Sequence, residues 1–180
     1  LSDQLYLIHS KNGVIRNEKT RALFENVVND KLLRNDSTAM TYEAKAAFYH
    51  CHKIYWFAMQ NYKEYYFYCS KHLEVLEEKE HMIDDRLTRY IGSLYSLALA
   101  QIDIEDYDNF PLTIMKMRAI PEKYKTGKLE INRIKIFDMS YRLELRFYYT
   151  IQKFEIANEK EAEILAGIDK YQSLLTELSI

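Results

Sequence analysis

Glycine and proline are scarce in this chain, with four glycines and two prolines among 180 residues. Tight turns between β-strands depend on these two residues, so their scarcity argues against a β-rich fold. Two cysteines are too few for a disulfide framework, and they favour reduced thiols and a cytoplasmic location. The chain also lacks an apolar run of about 20 residues, the length that a membrane-spanning helix needs. We therefore expect a helical protein that does not cross a membrane.

A strong excess of charge of either sign is also missing, since the formal net charge is -2. A balanced chain has no general attraction to nucleic acid or to an anionic membrane, so we expect neither as a partner. Hydrophobic residues make up 48% of the chain and charged residues 29%. These proportions are typical of a folded protein and argue against disorder.

The stretch from Ala44 to Glu77 has the clearest pattern in the chain. Apolar residues recur there at steps of four and three residues on both sides of the polar pair Gln60-Asn61. This spacing predicts two amphipathic helices, and helices so close in sequence should pack antiparallel as a hairpin. The stripes are Ala44, Phe48, Cys51, Tyr55 and Ala58 on the first helix and Tyr62, Tyr66, Cys69, Leu73 and Leu76 on the second.

Similar spacing predicts helices along the rest of the chain. One of them contains Gly92, which indicates close packing by a neighbouring backbone because a glycine inside a helix is otherwise costly. A short helix from Phe110 should end before Pro121, since proline disfavours helix at the residue before it. The other predicted helices cover about 1–9, 17–33, 82–102, 130–152 and 159–178.

The turns between helices repeat along the chain. An aromatic residue opens the second helix of three successive pairs, with 45 residues from Tyr62 to Tyr107 and 47 from Tyr107 to Phe154. A recurring helical pair predicts an all-α fold, an α-solenoid of stacked antiparallel hairpins with about seven or eight helices. We expect one domain that is part of a longer protein, with repeat units of about 1–35, 36–80, 81–122 and 123–180.

The turn residues resemble those of a known family. The run Gln60-Asn61-Tyr62-Lys63-Glu64-Tyr65 is similar to the turn of a tetratricopeptide repeat, and the runs Glu105–Phe110 and Lys153–Ala157 follow the same order of polar and aromatic residues. The period here is longer than the roughly 34 residues usual in that family. Other solenoids of helical pairs therefore remain alternatives.

The resemblance implies a function in binding. In tetratricopeptide-like proteins the first helix of each pair faces a concave groove, so we expect a scaffold that binds a protein or a peptide segment. The alternative is a sensor or regulatory module of a larger signalling or transcription-regulator protein, and the chain could also form a homo-oligomer. The groove residues that the resemblance implies are His50, Ile54 and Phe57, then Tyr95, Leu99 and Ile102, and finally Arg142, Arg146 and Tyr149.

Two arginines in this set suggest what the partner carries. Arg142 and Arg146 are four residues apart and should lie on one helix face, with Tyr149 a further turn along. Paired guanidiniums of this kind suit a carboxylate, so the partner could bring an acidic side chain or a C-terminal carboxylate. The alternative is that nearby acids such as Asp138 or Glu144 neutralise both arginines, or that both are simply solvated.

The cluster His50-Cys51-His52, with Cys69 and His72 on the partner helix, suggests a zinc site at first sight. Successive helical residues point about 100° apart, so the three neighbours cannot converge on one ion. We therefore expect no metal or other cofactor, and two buried thiols on facing stripes.

Catalytic motifs are missing as well. The chain contains no nucleophile motif, glycine-rich phosphate loop or paired metalloprotease histidines, so we expect no enzyme. A small-molecule enzyme on a helical scaffold is a weaker alternative. Basic residues are frequent between Lys116 and Lys135, but they form no regular stripe, which indicates a solvated region and not a nucleic-acid surface.

Overall fold

The structure, a computed structural model, describes residues 1–177, and it describes all of their side chains except those of Thr38 and residues 172–177. The described chain contains helices and no strand, so the predicted all-α fold is confirmed. It has nine α-helices where seven or eight were expected. Contacts divide the chain into two compact units, residues 1–80 and 81–180. Leu178, where the last helix was predicted to end, lies outside the described residues.

Unit 1 consists of four helices. They are α1 (Ser2–Asn12), α2 (Glu18–Val28), α3 (Tyr42–Ala58) and α4 (Tyr62–Glu77). The predicted hairpin is present as α3 and α4, and α1 and α2 pack on α3. The core of this unit includes Leu5, Phe24, Phe48, Cys51 and Ala58.

Unit 2 contains the other five helices. They are α5 (Leu87–Asp103), α6 (Phe110–Arg118), α7 (Ile120–Lys123), α8 (Glu130–Thr150) and α9 (Phe154–Glu177). Helix α5 packs against α6 and α8, and α8 forms a hairpin with α9. Buried side chains of this unit include Ile91, Leu94, Phe110, Met117, Ile134 and Leu143.

The ends of α1, α3, α5 and α8 repeat as the turn residues predicted. Among the described residues, a positive φ occurs at Gly13, Gln60, Glu105 and Gln152, each just after a helix, at separations of 47, 45 and 47 residues. A left-handed residue there lets the next N–H reach back to an unpaired carbonyl of the last helical turn. The bonds after the last three helices run from the Asn61 N–H to the Trp56 carbonyl at 3.1 Å, and from Asp106 to Gln101 and Lys153 to Tyr148 at 2.8 Å.

Three predicted helix boundaries were wrong. The helix expected to continue to Leu33 ends at Val28, because the Asp30 side chain accepts from the Leu32 N–H at 2.9 Å and starts a separate 3-10 turn. The helix expected from about Met82 starts at Leu87, after two 3-10 turns. The last helix starts at Phe154, five residues earlier than expected.

Ile120 was expected to lie outside any helix, and it instead opens α7. Pro121 stands in the first turn of this short helix, where the N–H that proline lacks would have no intrahelical partner. The expectation failed because it treated proline as an end signal, whereas here it follows the start of a new helix.

The prediction that a neighbouring backbone packs closely on Gly92 was also wrong. A Cβ built at Gly92 has no atom within 4 Å among the described residues, so no backbone approaches it closely. Gly167 in α9 is the tight position, because a Cβ there would lie 2.1 Å from Cε2 of Phe137 in α8. The missing side chain lets α9 pack directly on that ring.

Both thiols are buried, as the facing stripes predicted. Cys51 and Cys69 are each 1% exposed, and burial raises their pKa to about 11 and about 12, respectively. Within the part of the chain that the structure describes, no three His, Cys, Asp or Glu side chains are grouped so as to hold a metal ion. No described helix is long and apolar enough to cross a membrane.

Candidate functional site

The three groove residues predicted on α3 contact other helices of unit 1. The His50 ring lies 5.3 Å from the His72 ring of α4, and the Phe57 ring lies 5.1 Å from the Tyr65 ring. Phe57 also meets the His9 ring of α1 at 5.4 Å. The third, Ile54, is half-buried and packs against the core of this unit. These side chains are occupied largely by packing within their own unit.

The three residues predicted on α5 are also mostly withdrawn from the surface. Tyr95 is half-buried, whereas Leu99 and Ile102 are 9% and 3% exposed. Side chains with so little exposed area offer a partner almost nothing to contact. Of these three residues, only Tyr95 can therefore contribute to a binding surface.

The two arginines of α8 each have a carboxylate partner. Nε and Nη2 of Arg142 both lie 2.7 Å from Oδ1 of Asp138, one turn away. Arg146 pairs with Asp103 of α5, and burial raises the pKa of that carboxyl while the guanidinium opposes the shift. Each arginine is therefore neutralised by a nearby acid, which was one alternative to the carboxylate clamp. Glu144, which was also named for this role, does not pair with either of them.

An apolar groove lies between α8 and α9, next to Arg142. Its volume is about 270 Å³. The Asp138–Arg142 ion pair forms a charged rim on one side, and Ile168 at the opposite wall is 40% exposed. The apolar lining consists of Phe137, Tyr141 and Leu145 from α8 and Ile164 and Ile168 from α9. We call this the α8–α9 groove.

The groove has its shape because two contacts hold its walls. Gly167 lets α9 approach the Phe137 ring. The second contact also joins the two walls, because the Tyr141 hydroxyl donates to Glu163 of α9 at 2.9 Å. Burial together with this bond raises the pKa of Tyr141. Lys160 reaches the same carboxylate at 3.0 Å, and these two hydrogen bonds lower the pKa of Glu163.

The Tyr141 ring packs against a partly buried ion pair. The Arg118 guanidinium of α6 lies 4.6 Å from the Tyr141 ring centroid. Arg118 donates to both carboxylate oxygens of Glu144, at 3.0 and 2.6 Å, and also to the Ser140 hydroxyl at 3.3 Å. Glu144 is 8% exposed. The groove wall is thus tied to α6 through charge-assisted hydrogen bonds, which are stronger than neutral ones.

Size and lining decide what the groove can hold. Small-molecule sites usually enclose about 300–1,000 Å³, so this groove is at or below the lower limit. It suits one or two apolar side chains of a protein segment, with a charged neighbour at the rim. The described lining residues include no nucleophile motif paired with a histidine base.

A second, larger cavity lies at the start of α5. It measures about 560 Å³ and its lining includes Asp84, Thr88, Thr126 and Asn132. Thr126 donates its N–H at 2.8 Å and its hydroxyl to Asp84, and these bonds lower the pKa of that carboxyl. Asn132 in turn donates to the Thr126 carbonyl at 2.7 Å. These polar groups are engaged with one another, so they hold the chain at 84 and 126 together.

Of the residues predicted for binding, the structure places only Arg142 in the lining of the α8–α9 groove. Tyr149 lies further along α8, 57% exposed and with its ring 5.6 Å from that of Phe154. The α9 wall, which includes Ile164 and Ile168, was not predicted because the groove was expected on the first helix of each pair alone. The available signal was Leu165 between the two isoleucines, which widens the apolar part of α9 beyond one stripe.

No family model, curated protein or solved structure matches this chain.

Proposed function

We propose that the protein is a binding scaffold without catalytic activity, and that the α8–α9 groove of unit 2 takes a segment of a protein partner. The observation that supports this is a groove lined by five apolar or aromatic side chains, bordered by the exposed Asp138–Arg142 pair. An apolar pocket with a charged rim matches the core-and-rim pattern of protein interfaces. A tetratricopeptide-like solenoid would be a suitable framework for such a site, and that relationship is part of the proposal.

The partner segment brings an apolar anchor. Fully burying one aliphatic side chain contributes about 1.5–3 kcal/mol, so one or two anchors support a weak, reversible complex. The walls are already held by Tyr141 and Gly167, so little ordering cost is added on binding.

The charged rim determines which residue of the partner is favoured beside the apolar anchor. Arg142 uses Nε and Nη2 on a single oxygen of Asp138, so Nη1 is not part of this ion pair. Exposed ion pairs of this type contribute only about 0.2–1 kcal/mol, so Arg142 can also bind a carboxylate of the partner. An acidic side chain or a C-terminal carboxylate next to the anchor is thus our proposed second contact.

The test uses a phage-displayed library of random peptides, selected on the purified chain. Peptides with an aliphatic residue should be enriched, and Ile168→Glu should lower their affinity at least tenfold because it puts a charge in the groove. The matched control is Leu165→Glu, which changes a 54% exposed residue of the same helix that does not line the groove. Enrichment of no peptide, or equal loss in both variants, would refute the proposal.

A further inference from the structure

Two stretches of the unit 2 sequence differ in charge. From 154 to 171 the chain has five acidic and two basic residues, and this stretch is the described part of α9 that carries one wall of the groove. From 112 to 135 it has seven basic and two acidic residues. One of the seven, Arg118, is neutralised by Glu144, and the excess remains large without it.

Helix α6, at the start of the basic stretch, exposes two large apolar side chains. Leu112 is 60% exposed and Met115 is 67% exposed. They are three residues apart and therefore lie on the same face of the helix. Lys116 follows directly and is exposed as well. The opposite face of α6 is buried through Phe110, Ile114 and Met117.

We propose that the partner of the α8–α9 groove is a second copy of this chain, which inserts the Leu112–Met115 face of its α6. This inference rests on the proposed function, because it assigns an occupant to the same groove. Two features support the match: apolar side chains fit an apolar groove, and the basic stretch of one copy meets the acidic α9 of the other.

The side chains of α6 suit the groove in detail. Methionine is flexible and fills irregular apolar space, and leucine beside it adds a second anchor. Asp108 is exposed just before α6 and four residues ahead of Leu112, so it can supply the carboxylate to which Arg142 donates. The exposed acids Glu161 and Asp169 lie on the groove helix, where the lysines of the second copy would meet them.

The contact is heterologous, because one copy uses its groove and the other uses α6. Every copy then keeps one unused surface of each kind, so association continues from copy to copy unless the array closes on itself. We expect the average mass in solution to rise with protein concentration and to fall with added salt, which screens the opposite charges.

The first experiment is sedimentation equilibrium of the whole chain, up to about 1 mM, at low and high salt, which detects contacts with a Kd of about 1 mM or tighter. Leu112→Glu should make the chain monomeric. The matched control Leu32→Glu changes a leucine of nearly equal exposure, 62%, in unit 1 and should assemble like the wild type. A wild-type chain that stays monomeric would overturn the inference and leave the peptide-library test of the groove unaffected.

The second experiment mixes two variants that should each be monomeric. Leu112→Glu keeps an intact groove, and Ile168→Glu keeps an intact α6. Their equimolar mixture should form a 1:1 heterodimer and nothing larger. Circular dichroism checks the fold of Ile168→Glu, and Ile168→Ala replaces it if helix content falls. Assembly that only the groove change prevents, or two monomeric variants that do not pair, would show that α6 is not the occupant.

Discussion

Each unit buries one long ionisable side chain, and the two units treat it differently. In unit 1, Lys53 is 6% exposed and burial lowers the pKa of its ammonium group. Its electrostatic neighbour is the Cys69 thiol, whose raised pKa of about 12 keeps it neutral. In unit 2, Glu144 is 8% exposed and accepts two hydrogen bonds from the Arg118 guanidinium.

The difference shows that a buried charge with a partner can join two helices. The Arg118–Glu144 pair joins α6 to α8, and the Tyr141 ring of the groove wall lies over the guanidinium. Removing the two charged groups from water costs much of the free energy that their attraction contributes. The geometry of the ion pair, however, is satisfied in only one arrangement of the two helices. Lys53 has no ion-pair partner among the described residues, so its desolvation cost is not offset in this way.

The largest effect should come from breaking the pair in unit 2. Arg118→Ala leaves the Glu144 carboxylate, which is 8% exposed, without its cation. Because the guanidinium itself is 35% exposed and partly screened by water, the free energy of unfolding should fall by about 2–4 kcal/mol, less than for a fully buried pair. Urea unfolding followed by circular dichroism measures this loss. The control is Lys71→Ala, which removes an exposed pair with Glu74 and should cost less than about 1 kcal/mol. Equal costs would show that the buried pair is not special.

The opposite sign is expected in unit 1. Lys53→Met keeps a long side chain and removes the desolvated charge, so it should raise the free energy of unfolding by about 1–3 kcal/mol at pH 7. The control Lys45→Met changes an exposed lysine of the same helix and should have almost no effect. Urea unfolding of both variants measures the gain. A loss of stability in Lys53→Met would mean that the ammonium group is well solvated.

The pH dependence of that gain follows from the lowered pKa of Lys53. The unfolded chain keeps the lysine proton up to about pH 10.4, whereas the folded chain releases it at lower pH. The wild type therefore becomes more stable as the pH rises through the window between the two values. The advantage of Lys53→Met should shrink over the same window, and a constant advantage would point to packing and not to charge.

The two helical glycines of unit 2 should respond with smaller, opposite changes. Gly167→Ala would place a Cβ 2.1 Å from the Phe137 ring, so the ring or α9 has to move. Such overpacking typically costs about 1–3 kcal/mol, more than the roughly 1 kcal/mol that alanine gains over glycine in a helix. Gly92→Ala has open space and should gain up to about 1 kcal/mol. Thermal melting of both variants measures this, and a shift of the same sign would contradict it.

Sequence periodicity was enough for the helices and for their repeat. The stripes depend on local spacing alone, and the burial of Phe48, Cys51 and Ala58 is confirmed. Ala44 and Tyr62, the first residues of the two predicted stripes, are exposed instead. The repeated positive φ at Gln60, Glu105 and Gln152 also follows from local turn chemistry. Boundaries at Val28 and Leu87 were missed because short 3-10 turns replace helix there. The turn after Val28 depends on one hydrogen bond to the Asp30 side chain.

The groove was harder to predict because its parts are far apart in sequence. Arg118 and Glu144 are 26 residues apart, and Arg146 and Asp103 are 43 apart. No local pattern indicates such pairings, so the two arginines of α8 looked like one clamp. The width of the groove depends on how closely α9 approaches Phe137, which only the packing at Gly167 reveals.

The smallest effect on stability should come from Arg142. Its ion pair with Asp138 is an exposed i,i+4 contact with a 71% exposed guanidinium, so Arg142→Ala should change the free energy of unfolding by less than about 0.5 kcal/mol. Because Arg142 lines the groove, the same change should weaken carboxylate-bearing peptides from the library several-fold, and more at low salt than at high salt. Arg146 is the matched control, since it lies one turn along and pairs with Asp103 away from the groove lining. Fluorescence anisotropy with one selected peptide should therefore separate the two variants. An equal loss of affinity in both would restore the two-arginine clamp, and no loss in either would leave the groove with its apolar contacts alone.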